Sequence, residues 1–479
     1  MTMDELQILV KKCEISKTET QILEIKSAHD GCPTRLYDTL SSFSNQDDGG
    51  IILFGVDEKS GFLPVGVYDP HDLQRKVTEQ CNQMVPVVRP IFTVADMDGM
   101  QFVSAEIPAV DLSERPCFYG GKGRLRGAYI RVGDADELMT EYEIYSYEAF
   151  RKKYQDDIRI SERATIDSLD EAAVGEYLLK LKVKKPNLSQ LPEEQIFELV
   201  SVTRNGKIPL SSLLLFGLYP QAYHPQLSII AISVPGTEIG DVGTDGERFI
   251  DNKRIEGTIT QMVENAIVFV RNNMKTKTII DKSTGSRTDI TDYPITAVRE
   301  AILNALVHRD YSIHTEGKPI QVTMYTDRME IISPGGLYGS LRVDQLGKVQ
   351  PNTRNPVIAN ALEILGKIEN RYSGIPTIRK SMKENGLPEP VFADERGSFV
   401  VKLKKQMSEN ASSSIQEPKD LIEFCSVPRT RQEISTYLGL SSVTYAISRY
   451  VEPLIKEGII EMTIPGKPSS SNQRFVTVK

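Results

Sequence analysis

Tryptophan is absent from this 479-residue chain, and histidine and cysteine occur only five times each. Cys13, Cys32, Cys81, Cys117 and Cys425 are scattered, with no Cys-x-x-Cys pair. That scatter argues against a zinc site and for reduced thiols, which points to a cytoplasmic protein. No apolar run approaches the ~20 residues of a membrane span. The opening Met1-Thr-Met-Asp-Glu5 has neither a basic segment nor an apolar one, so no secretory signal is read. No Gly-x4-Gly-Lys-Ser/Thr loop occurs, which excludes a P-loop motor. Net charge is −8, so any contact with nucleic acid must come from local basic patches and not from the global field.

What is present reads as an ordinary soluble composition, 40% hydrophobic and 25% charged. The length suits three or four domains. The most informative stretch is 300–311, which has good helix formers and no breaker. Glu300, Asn304 and His308 recur every four residues and form one polar stripe, with Ile302, Leu303 and Leu306 opposite. The stripe also reads as a solvated helix face. A carboxylate and an amide one turn apart, however, suit a Mg²⁺-nucleotide: the amide oxygen ligates the metal and the carboxylate orients a water. Downstream, 320–325 and 329–332 alternate as strands, and the second runs into Ser333-Pro-Gly-Gly-Leu337. Gly366 to Ile375 opens a helix through Met382, and 397–403 is a last strand. Helix, strand, glycine turn, glycine-led helix, strand is the layout of a phosphate-cradling α/β sandwich. Backbone N–H groups at a helix start face the anion there.

The ordered set Glu300, Asn304, His308-Arg-Asp-Tyr311, Pro334-Gly-Gly336, Arg354-Asn-Pro356 and Gly374-Ile375 resembles the RecG-like C-terminal module, a divergent relative of the GHKL ATPases. The resemblance implies ATP with Mg²⁺. It places Glu300, Asn304, His308, Gly335, Gly336 and Gly374 around the nucleotide, with Asn304 on the metal. Two positions depart from the GHKL pattern: Ser333 replaces the aspartate that reads the adenine amine, and Leu337 replaces a glycine. The next box, usually Gly-Thr-Gly in this module, reads Tyr372-Ser373-Gly374.

Near the N-terminus, 22–26 alternates as a strand, 33–43 reads as a helix, 51–56 as a buried strand and 127–133 as part of a hairpin. The signature Glu19-x4-Glu24-Ile-Lys26, Ser42-Phe-Ser-Asn45, Gly49-Gly50, Phe54-Gly-Val-Asp57 and Tyr129-Ile-Arg-Val-Gly133 resembles the Schlafen AlbA-type domain. The resemblance implies a metal-dependent nuclease centre of Glu19, Glu24 and Asp57 on Mg²⁺ or Mn²⁺, with Lys26 beside them. Three carboxylates can hold hard cations, and a lysine can hold the scissile phosphate. Many domains of this kind are considered DNA-binding only. Candidate phosphate contacts are Arg35, Lys122, Arg124, Arg126 and Arg131, three of them in or beside the basic, glycine-rich loop 120–126.

Residues 408–418 are polar and serine-rich, a linker. Beyond them, helices at 431–438 and 442–457 and strands at 458–464 and 473–478 read as a winged helix. Thr444 and Arg449 would face a DNA groove, and Lys467 and Arg474 would meet phosphates. The expected class is therefore multidomain α+β. An AlbA-type domain spans 1–145, a connecting α+β scaffold 146–285, a GHKL-like module 286–405, a linker 406–418 and a winged helix 419–479. The function expected is nucleic-acid binding with a Schlafen-like nuclease centre acting on RNA or DNA and regulated by ATP. A DNA-binding transcription regulator that cuts nothing, and an interaction scaffold with degenerate sites, stay open. Animal Schlafens pair two such lobes, and this chain has one, so the resemblance also implies a homo-oligomer, at least a dimer.

Overall fold

The computed structural model describes residues 1–280, 287–339, 341–350, 352–368, 373–395, 397–405, 418–438, 443–456, 458–464 and 473–478. It forms two compact units, Met1–Lys404 and Lys405–Lys479. Among the described residues no helix is long and apolar enough to cross a membrane.

The chain starts with a capping box. Thr2 Oγ1 accepts the Glu5 amide and Glu5 Oε2 accepts the Thr2 amide, which launches helix α1 (Met3–Ser16). A four-stranded sheet follows: β1 (Leu23–Lys26), β2 (Gly50–Phe54), β3 (Ile91–Met97) and β4 (Met100–Ile107), in the order β1-β2-β4-β3. Only β1 and β2 are parallel. A parallel pair needs a crossover, and α2 (Tyr37–Asn45) lies within it. Side chains alternate along the strands. Ile25 and Leu53 pack with Leu6 and Val10 of α1, while Ile52 and Phe54 pack with α2 and α3 (Pro70–Cys81). The residue between Leu23 and Ile25, Glu24, therefore points to the α2 side. There the hairpin of β5 (Tyr129–Val132) and β6 (Ala135–Leu138) packs on α2. The segment read as a helix over 33–43 is one over 37–45, with Arg35 in the loop before it. The glycine-rich loop ends in a short helix, α4 (Arg124–Gly127), and α5 (Glu141–Lys152) leaves the lobe.

The rest of this unit is built on a six-stranded sheet. Its strands are β7 (Ile229–Ser233), β8 (Asp251–Ile255), β9 (Ile320–Met324), β10 (Arg328–Pro334), β11 (Val391–Glu395) and β12 (Ser398–Lys404), in the order β8-β7-β9-β10-β12-β11. The segment read as a connecting scaffold thus contributes two strands to the same sheet as the nucleotide-like module. Helices α6 (Glu171–Lys184), α7 (Glu193–Leu199), α8 (Leu210–Phe216) and α9 (Ile259–Asn273) share one hydrophobic core with α10 (Ile295–Val307), α11 (Pro356–Leu365) and α12 (Gly374–Glu384). Helix α10 buries residues almost all round, from Ala297 to Val307, because α9 and α12 both pack on it. A hydrogen-bonded chain, Ser161 Oγ to His224 Nε2 (2.8 Å) and His224 Nδ1 to Glu316 Oε1 (2.5 Å), ties three distant loops together.

The second unit has helices α13 (Pro418–Phe424) and α14 (Arg431–Tyr437) and a helical stretch over 443–456. Its strands β13 (Arg429–Thr430), β14 (Ile460–Met462) and β15 (Arg474–Thr477) form an antiparallel sheet in the order β13-β15-β14. Leu421, Cys425, Ile434, Val451 and Phe475 make its core. All five cysteines are free thiols.

Candidate functional sites

On the N-terminal lobe the acidic signature is held by arginine. Glu24 is buried, and the Lys26 ammonium meets its Oε1. Arg131 Nη2 lies 2.8 Å from Glu24 Oε2, in ionic contact but without the alignment of a hydrogen bond. The same guanidinium reaches Asp136 Oδ1 at 2.9 Å and stands 3.9 Å from Glu19 Oε2. Asp136 in turn accepts from Thr39 and Ser42 of α2. Glu19 accepts the Ile25 amide at 2.7 Å. Its carboxyl is pushed up to about 7, first by burial and then by the nearby Glu24 charge, against the pull of that amide and Lys26.

The expected three-carboxylate metal centre is not assembled. Among the described residues no three His, Cys, Asp or Glu side chains form a group that could hold a metal ion. Asp57 lies beyond Gly55, which bends the chain at φ 105°, and its carboxylate turns to Ser60 Oγ and the Lys59 amide. Glu19 and Glu24 are neighbours, but their counter-charges are Arg131 and Lys26. These residues do not fit a divalent ion shared by all three acids, and no step is routed through one.

The basic candidates separate in the same way. Arg131 is buried, so it is a structural counter-ion and not a surface contact. Arg124 is half-buried, paired with Glu148 of α5 and set over the Phe118 ring. Lys122 and Arg126 are exposed on the loop and on α4. Arg35 is also exposed, tied to Asp38 at 2.5 Å and to Tyr129 Oη at 3.4 Å. In the second unit Arg474 is exposed on β15. The side chains of Thr444 and Arg449, and Lys467 altogether, lie outside the described residues.

The second site is a cavity of about 510 Å³ between α10, β10 and the start of α12. Glu300, Asn304, His308, Gly335, Gly336 and Gly374 all line it. Helix α10 places Glu300 and Asn304 one turn apart. It ends at Val307, so His308 is its C-cap (φ −99°, ψ 4°) and not a further position on the stripe. His308 lines the cavity with its ring exposed to it. Burial, and secondarily Arg354, lower it to about 4, so it is neutral near pH 7. Gly374 begins α12 close against the α10 pair. A Cβ there would stand 2.8 Å from Asn304 Nδ2 and 3.3 Å from Glu300 Oε2. The N-cap, Ser373, offers no side-chain cap. The first amides of α12, unlike those of α1, thus have no side-chain acceptor from the cap. Gly335, at φ 96°, makes room for Arg354 and Asp310.

Ser333 donates its hydroxyl to the Ala305 carbonyl at 2.9 Å, so it serves α10 and not a ligand. Arg354 was legible only as part of a motif, with no role attached. It is buried on the cavity wall. Its Nη2 donates to the Gly336 carbonyl at 3.1 Å, Asp310 is 3.9 Å from its Nη1, and that Nη1 has no hydrogen-bond acceptor. Helix α11 was missed, although Pro356 at its first position and Gly366 at its left-handed C-cap (φ 74°) are the ordinary start and stop signals.

Three family models match separate segments of the chain. Residues 19–140 match the family described as Schlafen, AlbA_2. Residues 317–403 match HATPase_c_4, the recG C-terminal family. Residues 419–476 match the C-terminal domain of Fic-like proteins, Fic standing for filamentation induced by cAMP. No curated protein sequence matches the chain. Among solved structures, the DIP2311 protein of Corynebacterium diphtheriae is 17% identical over 99% of this chain and 97% of that one, with a TM-score of 0.40. The N-terminal domain of a RecG-related protein from Nitrosomonas europaea is 25% identical over 30% of this chain and 97% of that one, with a TM-score of 0.23.

Proposed function

We propose that this protein binds nucleic acid on its N-terminal lobe and takes a Mg²⁺-nucleotide, ATP by the resemblance, in the α10–α12 cavity, the second event regulating the first. The observation that carries this reading is the convergence of Glu300, Asn304 and the uncapped start of α12 on one cavity. A carboxylate, a carboxamide oxygen and free helix-start amides are what a metal-bound polyphosphate asks of a protein. Asn304 would hold the cation and Glu300 would orient water beside it. A bound Mg²⁺ would neutralise phosphate charge. The recG C-terminal match over 317–403 supports a nucleotide-type module on the β9–β12 side of the cavity; α10, with Glu300 and Asn304, precedes the matched residues.

The Schlafen AlbA_2 match supports nucleic acid, RNA or DNA, as partner of the first lobe. Lys122 and Arg126 are the exposed side chains best placed to meet its phosphates, and Arg35, exposed but paired with Asp38, would have to give up that pairing to join them. Binding without cleavage is favoured over the nuclease reading because Glu24 is paired with Lys26 and Arg131. The tail is read as a winged helix that adds a DNA contact through 443–456 and Arg474, which makes a nucleotide-responsive regulator the most coherent whole.

Calorimetric titration with Mg-ATP tests the nucleotide half. Saturable binding that Asn304→Ala removes is expected, and no heat at millimolar nucleotide would overturn it. Incubation with tRNA, single-stranded RNA and DNA, with Mg²⁺ or Mn²⁺, is expected to leave all three intact. Cleavage abolished by Glu24→Ala would restore the nuclease reading.

A further inference from the structure

Helix α1 carries a second, unclaimed face. Leu6, Val10 and Cys13 are buried against the lobe. At 100° per residue, the opposite face is centred on Ile8 and includes Asp4, Glu5, Lys11, Lys12 and Ile15. All six are exposed, Ile8 to 65% and Ile15 to 83%. Two exposed isoleucines seven residues apart on one stripe have the heptad spacing of a helix-pairing seam.

The charges around them are ordered. Asp4 and Lys11 flank Ile8 on one side, and Glu5 and Lys12 flank it on the other. Each acid thus has a base one heptad later on the same flank. If two copies of α1 pair antiparallel with Ile8 on the two-fold axis, residue i of one copy stands near residue 16 − i of the other. The same flank stays on the same side. Asp4 then meets Lys11 of the second copy, Glu5 meets its Lys12, and both pairs occur twice. Parallel pairing would instead swap the flanks and set Asp4 beside Glu5 of the second copy and Lys11 beside its Lys12, like charge against like. The pattern fits one partner and one orientation.

We infer that the outer face of α1 is a self-association surface, and that its occupant is α1 of a second copy, packed antiparallel across Ile8. A helix of 14 residues is only about 21 Å long. Its single face falls short of the ~1,200 Å² of a standard interface, so the dimer is expected to exchange at micromolar concentration.

Sedimentation equilibrium of the full chain is expected to give twice the monomer mass at tens of micromolar, and Ile8→Asp the monomer mass. The Lys11→Glu/Lys12→Glu protein should be monomeric alone, as should Asp4→Lys/Glu5→Lys, and the two mixed should form a heterodimer. Orientation is read by oxidative cross-linking against a wild-type control. Ile8→Cys should link efficiently and Ile15→Cys should not, because the two Ile15 positions lie about 21 Å apart along the pair. A monomeric wild type at all concentrations, a dimer indifferent to Ile8→Asp, or cross-linking through Ile15→Cys would each overturn the assignment. Circular dichroism checks that each variant is folded; Glu5→Lys also removes half of the α1 capping box, so Lys11→Glu/Lys12→Glu and Ile8→Asp, which leave the cap intact, carry the test.

Discussion

Tyr142 Oη donates to Asp310 Oδ2 at 2.8 Å, joining the first turn of α5 to the residue behind Arg354 in the wall of the α10–α12 cavity. Asp310 also accepts the Ser312 amide and stands beside Arg354. Farther along α5, Phe150 meets the Tyr338 ring edge-on, and Glu148 pairs with Arg124 beside the basic loop. One helix therefore touches both sites. Burial, with Asp310 next, pushes the Tyr142 hydroxyl well above its usual range, so it remains a donor throughout the working pH range. Tyr142→Phe is expected to lower stability by about 1–2 kcal/mol, as for a lost hydrogen bond to a charged group. It should preserve nucleotide affinity within a few-fold but abolish any effect of nucleotide on nucleic-acid affinity. Urea denaturation and anisotropy titrations check the two halves.

Gly374→Ala tests the cavity's geometry. The added methyl would sit 2.8 Å from Asn304 Nδ2, so the amide must rotate into the space where ligand belongs. Nucleotide affinity is expected to fall by at least tenfold with little change in melting temperature, read by calorimetry and thermal denaturation.

Arg131 and the loop bases should behave oppositely. Arg131→Ala leaves half-buried Asp136 without a counter-ion and buried Glu24 with Lys26 alone, and a loss of about 2–4 kcal/mol of stability is expected. Lys122→Ala with Arg126→Ala should leave stability unchanged. It should weaken nucleic-acid binding and reduce the slope of log affinity against log salt by about 1–2.

Glu19 sets a pH dependence. Its carboxyl is raised from 4.5 to about 7 in the folded protein. Below pH ~4.5 both folded and unfolded chains hold the proton, and the group has no effect. Between 4.5 and 7 only the folded chain holds it, so stability falls as pH rises; above 7 the destabilisation is complete. Glu19→Gln should match wild type near pH 4 and exceed it at pH 8 by on the order of 1–3 kcal/mol, measured by denaturant titration at both values.

Local signals were legible in the sequence and long-range partners were not. Glu300 and Asn304 could be placed together because helical spacing alone puts them on one face. The stop at Val307 was not read, because Arg309-Asp310-Tyr311 leave the helix to bury against tertiary partners that no local pattern shows. The Schlafen resemblance implied a metal ion at Glu19, Glu24 and Asp57; the cation that the fold brings to the two glutamates is Arg131, carried in by a hairpin packed on α2. Strands β7 and β8 went unread because β7 pairs in parallel with the distant β9, which no local pattern shows, and β8 pairs only with β7. Helix α1 was missed although its Thr2/Glu5 capping box was in plain view.

Nucleotide in the α10–α12 cavity is expected to change nucleic-acid binding on the N-terminal lobe. The direct measurement is fluorescence anisotropy of the intact protein on labelled single-stranded RNA and on DNA, with and without saturating Mg-ATP, at fixed salt. An affinity change of five-fold or more in wild type is expected on at least one of the two. It should be lost in both Tyr142→Phe and Asn304→Ala. Identical isotherms with and without nucleotide, in a protein shown by calorimetry to bind it, would contradict the account.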